Sequence, residues 1–151
     1  MPNPGNKIFI GHGRNAAWRE LKDFIQDTLK LVPDEFNLEP VARKTVTERL
    51  LRMIDDARFA LLVFTGEDEH TDDTKHAREN VIHEAGLFQG RLGLEKAIIL
   101  LEEGCQEFSN ITGLQRIHFP KDCIKATFED IRKVLERESI IRRNPSFRDQ
   151  A

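Results

Sequence analysis

Residues 58–65 read "RFALLVFT", apolar almost from end to end. A strand with one wet face alternates apolar and polar residues, whereas an unbroken apolar run marks a strand covered on both faces. That is the situation of a parallel sheet layered between helices. "EKAIILLEE" (95–103) has the same character, and "KIFIG" (7–11) is a shorter β-rich run that ends in glycine. Between these runs the apolar period changes from continuous to helical. Trp18, Leu21, Phe24, Ile25 and Leu29 recur at spacings of three and four until Pro33 and Asp34 break the pattern. "TVTERLLRMIDDA" (45–57) opens with the Thr45–Glu48 capping-box pair and offers Leu50, Leu51 and Ile54 as its apolar face. "ENVIHEAGLFQGRLG" (79–93) carries Val81, Ala85, Phe88 and Leu92 on one stripe, and "KATFEDIRKVLERESII" (125–141) carries Phe128, Ile131, Val134 and Leu135. "FNLEPV" (36–41) is the expected second strand, ended by Pro40, and "GLQRIHF" (113–119) the last, edge-like one. Strand and helix thus alternate about five times. The expectation is an α/β domain: a roughly five-stranded parallel sheet, doubly wound in the flavodoxin-like manner, with helices on both faces.

Composition sets the outer limits. At 151 residues, 39% hydrophobic and 32% charged, the chain suits one soluble domain with a real core. We place that domain at 1–141 and read 142–151 ("RRNPSFRDQA" with its proline) as a polar linker or tail. A net charge of -3 argues against a nucleic-acid platform. The apolar runs are too short to span a bilayer and no signal-peptide pattern opens the chain, so no membrane is expected and a cytoplasmic location is. Cys105 and Cys123 form no disulfide framework or zinc motif. His70, His76 and His83 match no established zinc spacing, so no metal is expected, and "GEDEHTDDTKH" (66–76) reads as an acidic, mobile surface loop.

In open parallel sheets ligands bind beyond the carboxyl ends of the strands. "GHGRNA" (11–16), "VARKT" (41–45) and "TGEDEH" (65–70, beginning with Thr65) fall there. The first fits a phosphate-cradling turn through Gly11 and Gly13, and His12 and Arg14 suit anionic oxygens; a plain strand-to-helix turn accounts for it as well. Glu84 raises the sharper question, because it lies beside the apolar stripe of its helix. A carboxylate there pays a desolvation penalty unless it is paired or borders a cavity. On helix geometry alone a rim salt bridge, for instance to Arg91, is the simpler account. A carboxylate working in a cleft, with Asn80 one turn earlier, is the other.

"KIFIGHGRN", "FALLVFTGED", "ARENVIHEAGLFQGRLG" and "NITGLQRIHFP" occur in an order that resembles the bacterial TIR-like domains, over about residues 7 to 137. These were described as predicted nucleotide-binding proteins and are found as effectors of antiphage signalling, including fusions to STING and other cyclic-nucleotide sensors. Their helix pattern Arg-x-Asn-Val-Ile-x-Glu-x-Gly-x-Phe-x-Gly is met by Arg78, Asn80, Val81, Ile82, Glu84, Gly86, Phe88 and Gly90. Where such proteins often read Gly-Arg-Thr after the second strand, this chain reads "VARKTVTE" (41–48), with Arg43 and Thr45.

The resemblance implies a flavodoxin-like TIR fold and NAD+ glycohydrolase activity. NAD+ is then a substrate rather than a cofactor. It puts the catalytic glutamate on Glu84 and substrate contacts on Gly11, His12, Gly13, Arg14, Arg43, Thr65 and Asn80. It further implies self-association through TIR–TIR contacts and a fused cyclic-nucleotide sensor. The competing readings are a non-catalytic TIR signalling module, a Rossmann-type dinucleotide binder built on "GHGRNA", and a nucleoside 2-deoxyribosyltransferase, which has a similar sheet and a carboxylate nucleophile.

Overall fold

The computed structural model describes residues 5–13, 16–35, 46–66, 72–105 and 116–142, with side chains at 46–47 and 72–80 left aside. Its centre is β3 (Ala57–Phe64), in which every residue but Arg58 is buried. β1 (Lys7–His12) and β4 (Ala97–Glu102) flank it, and β2 (Val32–Glu35) and β5 (Arg116–Phe119) form the edges. The strand order is β2-β1-β3-β4-β5, and all four pairings are parallel. This is the flavodoxin-like order expected of alternating strand and helix. The continuous apolar runs therefore fall on the interior strands and the short mixed runs on the edges, because only interior strands lose water on both faces.

Strand pleating divides the core in two. On one face Phe9, Leu62 and Phe64 pack against α2 (Val46–Asp56) and α3 (Asp72–Leu92), through Leu50, Ile54, Val81, Ala85 and Phe88. Phe9 and Phe88 stack there with centroids 4.0 Å apart. On the other face Ile8, Ile10 and Leu61 meet α1 (Trp18–Asp23) and α4 (Phe128–Arg137), through Leu21, Ile131 and Leu135. No helix among the described residues is long and apolar enough to cross a membrane.

Several boundaries differ from the expected ones. Pro33 and Asp34 do not simply break the first helix; they lie inside β2, paired with Ile8 and Phe9. A proline is tolerated there because β2 is an edge strand. The helix itself widens into a π-helical turn (Phe24–Thr28) and stops where Lys30 takes a left-handed φ of 58°. The strand expected at 36–41 lies outside the described residues. α3 begins at Asp72, so half of the stretch expected to be a loop is helical. On α2, Leu51 is 53% exposed while Met53 packs inward beside Leu50 and Ile54, so the apolar face is i, i+3, i+4 and excludes Leu51.

Glu102 closes β4 and is 5% exposed. It accepts hydrogen bonds from the Gly66 N–H (2.9 Å) and the Asp122 N–H (3.1 Å), tying the segment after β3 to the turn after β5. Hydrogen bonds to a charged group contribute about 1.5–3 kcal/mol each. Glu102→Gln leaves one donor facing an amide N–H, so it should cost about 2–3 kcal/mol in urea unfolding with an unchanged m-value.

Candidate functional site

The site forms at the carboxyl end of the sheet, where β1 passes beneath α3. Gly11 is one residue from the end of β1 and in register with Leu62 of β3. Its pleat position puts it on the α3 face, the face of Phe9. A Cβ at position 11 would lie 2.5 Å from Glu84 Oε2, 2.8 Å from Leu62 Cδ1 and 3.1 Å from Phe9 Cε1. Only glycine lets β1 and the Glu84 carboxyl approach so closely.

Glu84 is 3% exposed, and among the described residues its Oε2 has no hydrogen-bond partner. Burial disfavours the charged form and pushes its pKa up to about 8. Among the described residues no rim salt bridge holds Glu84: Arg91 faces Asp55 at 3.9 Å, with both side chains largely in solvent. A buried carboxyl with an unpartnered oxygen of this kind marks a candidate functional site. It can accept a cation, or hold a proton until one arrives.

The other expected contacts divide sharply. Thr65, just beyond β3, is buried at 1% exposure. His12 ends β1 on the opposite face from Gly11, toward α1. Its Nε2 lies 2.6 Å from Glu35 Oε1 and its Nδ1 2.5 Å from the Gly13 carbonyl, while its ring stacks on Trp18 at 4.4 Å. His12 is thus held on both nitrogens and one face rather than presented as an open ligand. Arg14, Arg43 and the side chain of Asn80 lie outside the described residues.

Sequence reasoning missed Glu35 and Glu102. Glu102 leaves a readable trace, a carboxylate ending an apolar strand; Glu35 leaves none, because Pro33 signals a break.

A family model described as "CAP12/Pycsar effector protein, TIR domain" matches residues 7–121. "Uncharacterized protein YuaY" of Escherichia coli is 30% identical over 114 residues, which cover 72% of this chain and 38% of that protein. "CD-NTase-associated protein 12" of Sphingobacterium faecium is 25% identical over 137 residues, 86% of this chain and 41% of that protein. The chain therefore spans about two fifths of the length of these curated relatives. Among solved structures, the TIR domain of the Toll-related receptor TRR-2 from Hydra magnipapillata superposes with a TM-score of 0.52, covering 87% of this chain and 95% of that one. At 10% identity that likeness speaks for the fold alone.

The dry carboxyl has a stability signature with a definite sign. Below the ordinary carboxyl value of 4.5 both folded and unfolded states hold the Glu84 proton. Between 4.5 and about 8 the unfolded chain releases it and the folded chain keeps it. Stability therefore falls as pH rises through this window, by about 1.4 kcal/mol per unit from this residue. Glu84→Gln should remove that slope. Urea unfolding at pH 5, 6, 7 and 8 should show the variant gaining steadily on the wild type, whereas a rim ion pair would make the variant lose.

Proposed function

Starting from a chain that belongs to the TIR-domain family of CAP12/Pycsar effector proteins, we propose that it is an NAD+ glycohydrolase and that Glu84 is its catalytic carboxylate. One observation carries the reading: a carboxyl at 3% exposure, unpartnered at Oε2, is aimed at the backbone of Gly11 on the strand-end rim where ligands bind in such sheets.

The chemistry is cleavage of an N-glycosidic bond. The bond between the nicotinamide nitrogen and ribose C1′ breaks, and its electron pair leaves with the nicotinamide, which departs neutral. Positive charge then develops on C1′ and the ring oxygen. A fixed carboxylate in a water-poor site stabilises that charge more in the transition state than in the ground state. Water adds to C1′ and gives up a proton, yielding ADP-ribose. Glu84 must be ionised for this role. The positive charge of the bound nicotinamide ring favours ionisation, so substrate binding and proton release are linked. The turn Gly11–Gly13 offers backbone groups to ribose or phosphate.

Purified protein, assembled with its sensor portion, should release nicotinamide from NAD+, and Glu84→Ala should lower kcat by about a thousandfold while leaving the fold intact. Undiminished turnover in that variant would sink the assignment, and equal turnover of uncharged nucleosides would favour a deoxyribosyltransferase-like enzyme instead. For the wild type, kcat/KM should rise about tenfold per pH unit on the acid side and level off near pH 8. The corresponding limb in kcat should sit at lower pH, because the bound cation lowers the Glu84 pKa. A single limb near the ordinary carboxylate range in both parameters would show a solvated acid.

The effector role extends the same reading. The family is described as CAP12/Pycsar effectors and the Sphingobacterium faecium relative is named for its association with a CD-NTase; we read this chain as the effector portion of such an antiphage system, switched on by clustering through a cyclic-nucleotide sensor. Activity per molecule should then climb steeply with forced oligomerisation. Linear scaling of rate with protein concentration over a wide range would argue for a constitutively active monomer.

A further inference from the structure

The carboxyl ends of β1 and β2 are joined by a cluster on the face of the sheet opposite Glu84. Glu35, the last residue of β2, holds His12 Nε2 at 2.6 Å. Side-chain exposures of 12% for His12 and 17% for Glu35 shield the pair from competing water. The same ring reaches the Gly13 carbonyl through Nδ1 at 2.5 Å and lies nearly flat on Trp18, 12° from parallel. Trp18 begins α1 and is braced in turn by Arg19, whose guanidinium carbon is 5.6 Å from the ring centroid. Four segments thus converge on one imidazole: the end of β1, the turn after it, the end of β2 and the start of α1.

The residue before His12 is Gly11, at which a Cβ would lie 2.5 Å from Glu84 Oε2 on the other face. Neighbouring residues of a strand share a peptide plane while their side chains point oppositely. A restraint on the His12 ring is therefore a restraint on the peptide that joins it to Gly11, the residue whose missing Cβ leaves room for Glu84. We infer that Glu35 is a positioning residue for this site: through the His12 imidazole it fixes the β1–α1 turn, and with it Gly11, against the Glu84 carboxyl. This rests on the reading of that site as one that binds NAD+. Glu35 touches neither the reacting bond nor Glu84, so its loss loosens the cradle for the substrate more than it alters the charge that stabilises the transition state.

Trp18 is the single tryptophan of the 151 residues, so its emission reports the cluster directly. Indole emission responds to the charge and polarity packed against the ring. Glu35→Leu, which removes the partner of Nε2 at similar volume, should change the intensity and wavelength of Trp18 emission as the ring swings away. It should also raise KM for NAD+ by about tenfold while kcat stays within about threefold. Glu35→Gln, whose side-chain amide can pair with Nε2 as acceptor or donor, should restore most of both. On a Glu84→Gln background, where no turnover intervenes, calorimetric Kd for NAD+ should weaken on Glu35→Leu by the same factor as KM.

Unchanged Trp18 emission in Glu35→Leu would overturn the clamp. A fall in kcat together with Tm, at constant KM and Kd, would reduce Glu35 to a structural residue and overturn the positioning role. Absence of nicotinamide release from the wild type, with NAD+ still bound, would defeat the glycohydrolase reading alone, and the Kd comparison would still decide the role of Glu35. Absence of NAD+ binding altogether would overturn both.

Discussion

The contact between the Gly11 backbone and the Glu84 carboxyl is the constraint around which the domain is arranged. A β-carbon on residue 11 would be 2.5 Å from Glu84 Oε2, a distance that neither atom tolerates. Strand and helix meet there because Phe9, one pleat earlier on the same face, stacks on Phe88, one helical turn after Glu84. The aromatic pair sets the spacing of β1 and α3, and the absent side chain of Gly11 opens the slot that the carboxyl fills. Water is excluded by the same packing. An acid buried in this position destabilises the domain at neutral pH, because the folded chain disfavours the charge that the unfolded chain carries.

Where elements could be read from sequence, the reason was burial. Interior strands need no polar residues, so "FALLVF" and "AIILL" announce themselves, and the amphipathic stripes on α3 and α4 follow from one-sided packing. The misreadings have equally physical causes. Pro33 hid β2 because a proline signals a break unless the strand is an edge, and edge status is a tertiary fact. Leu51 was grouped with Leu50, although a helix turns 100° between them and Leu51 faces solvent.

The site was half legible. Glu84 stood out as an acid beside a dry stripe, yet periodicity favoured an ion pair at the rim. Only the packing of α3 on β1 shows where the carboxyl ends, and Arg91 faces Asp55 instead. His12 was legible as a polar residue in a glycine-rich turn, but its engagement depends on which strand lies beside β1. No local pattern could disclose Glu35, because the pairing joins residues 23 positions apart through the parallel alignment of β1 and β2.

Glu102 gives the rim a mechanical property. One carboxylate holds the N–H of Gly66 with one oxygen and that of Asp122 with the other. The segment leaving β3 leads on to the α3 helix that bears Glu84, while the Asp122 turn leads into the short helical turn before α4. Two connections on different flanks of the sheet are thereby yoked like the arms of a lever with Glu102 as its pivot. A force applied to the Asp122 turn, by a neighbouring molecule pressing on that exposed surface, must either break a charge-assisted bond or travel to the root of the connection into α3.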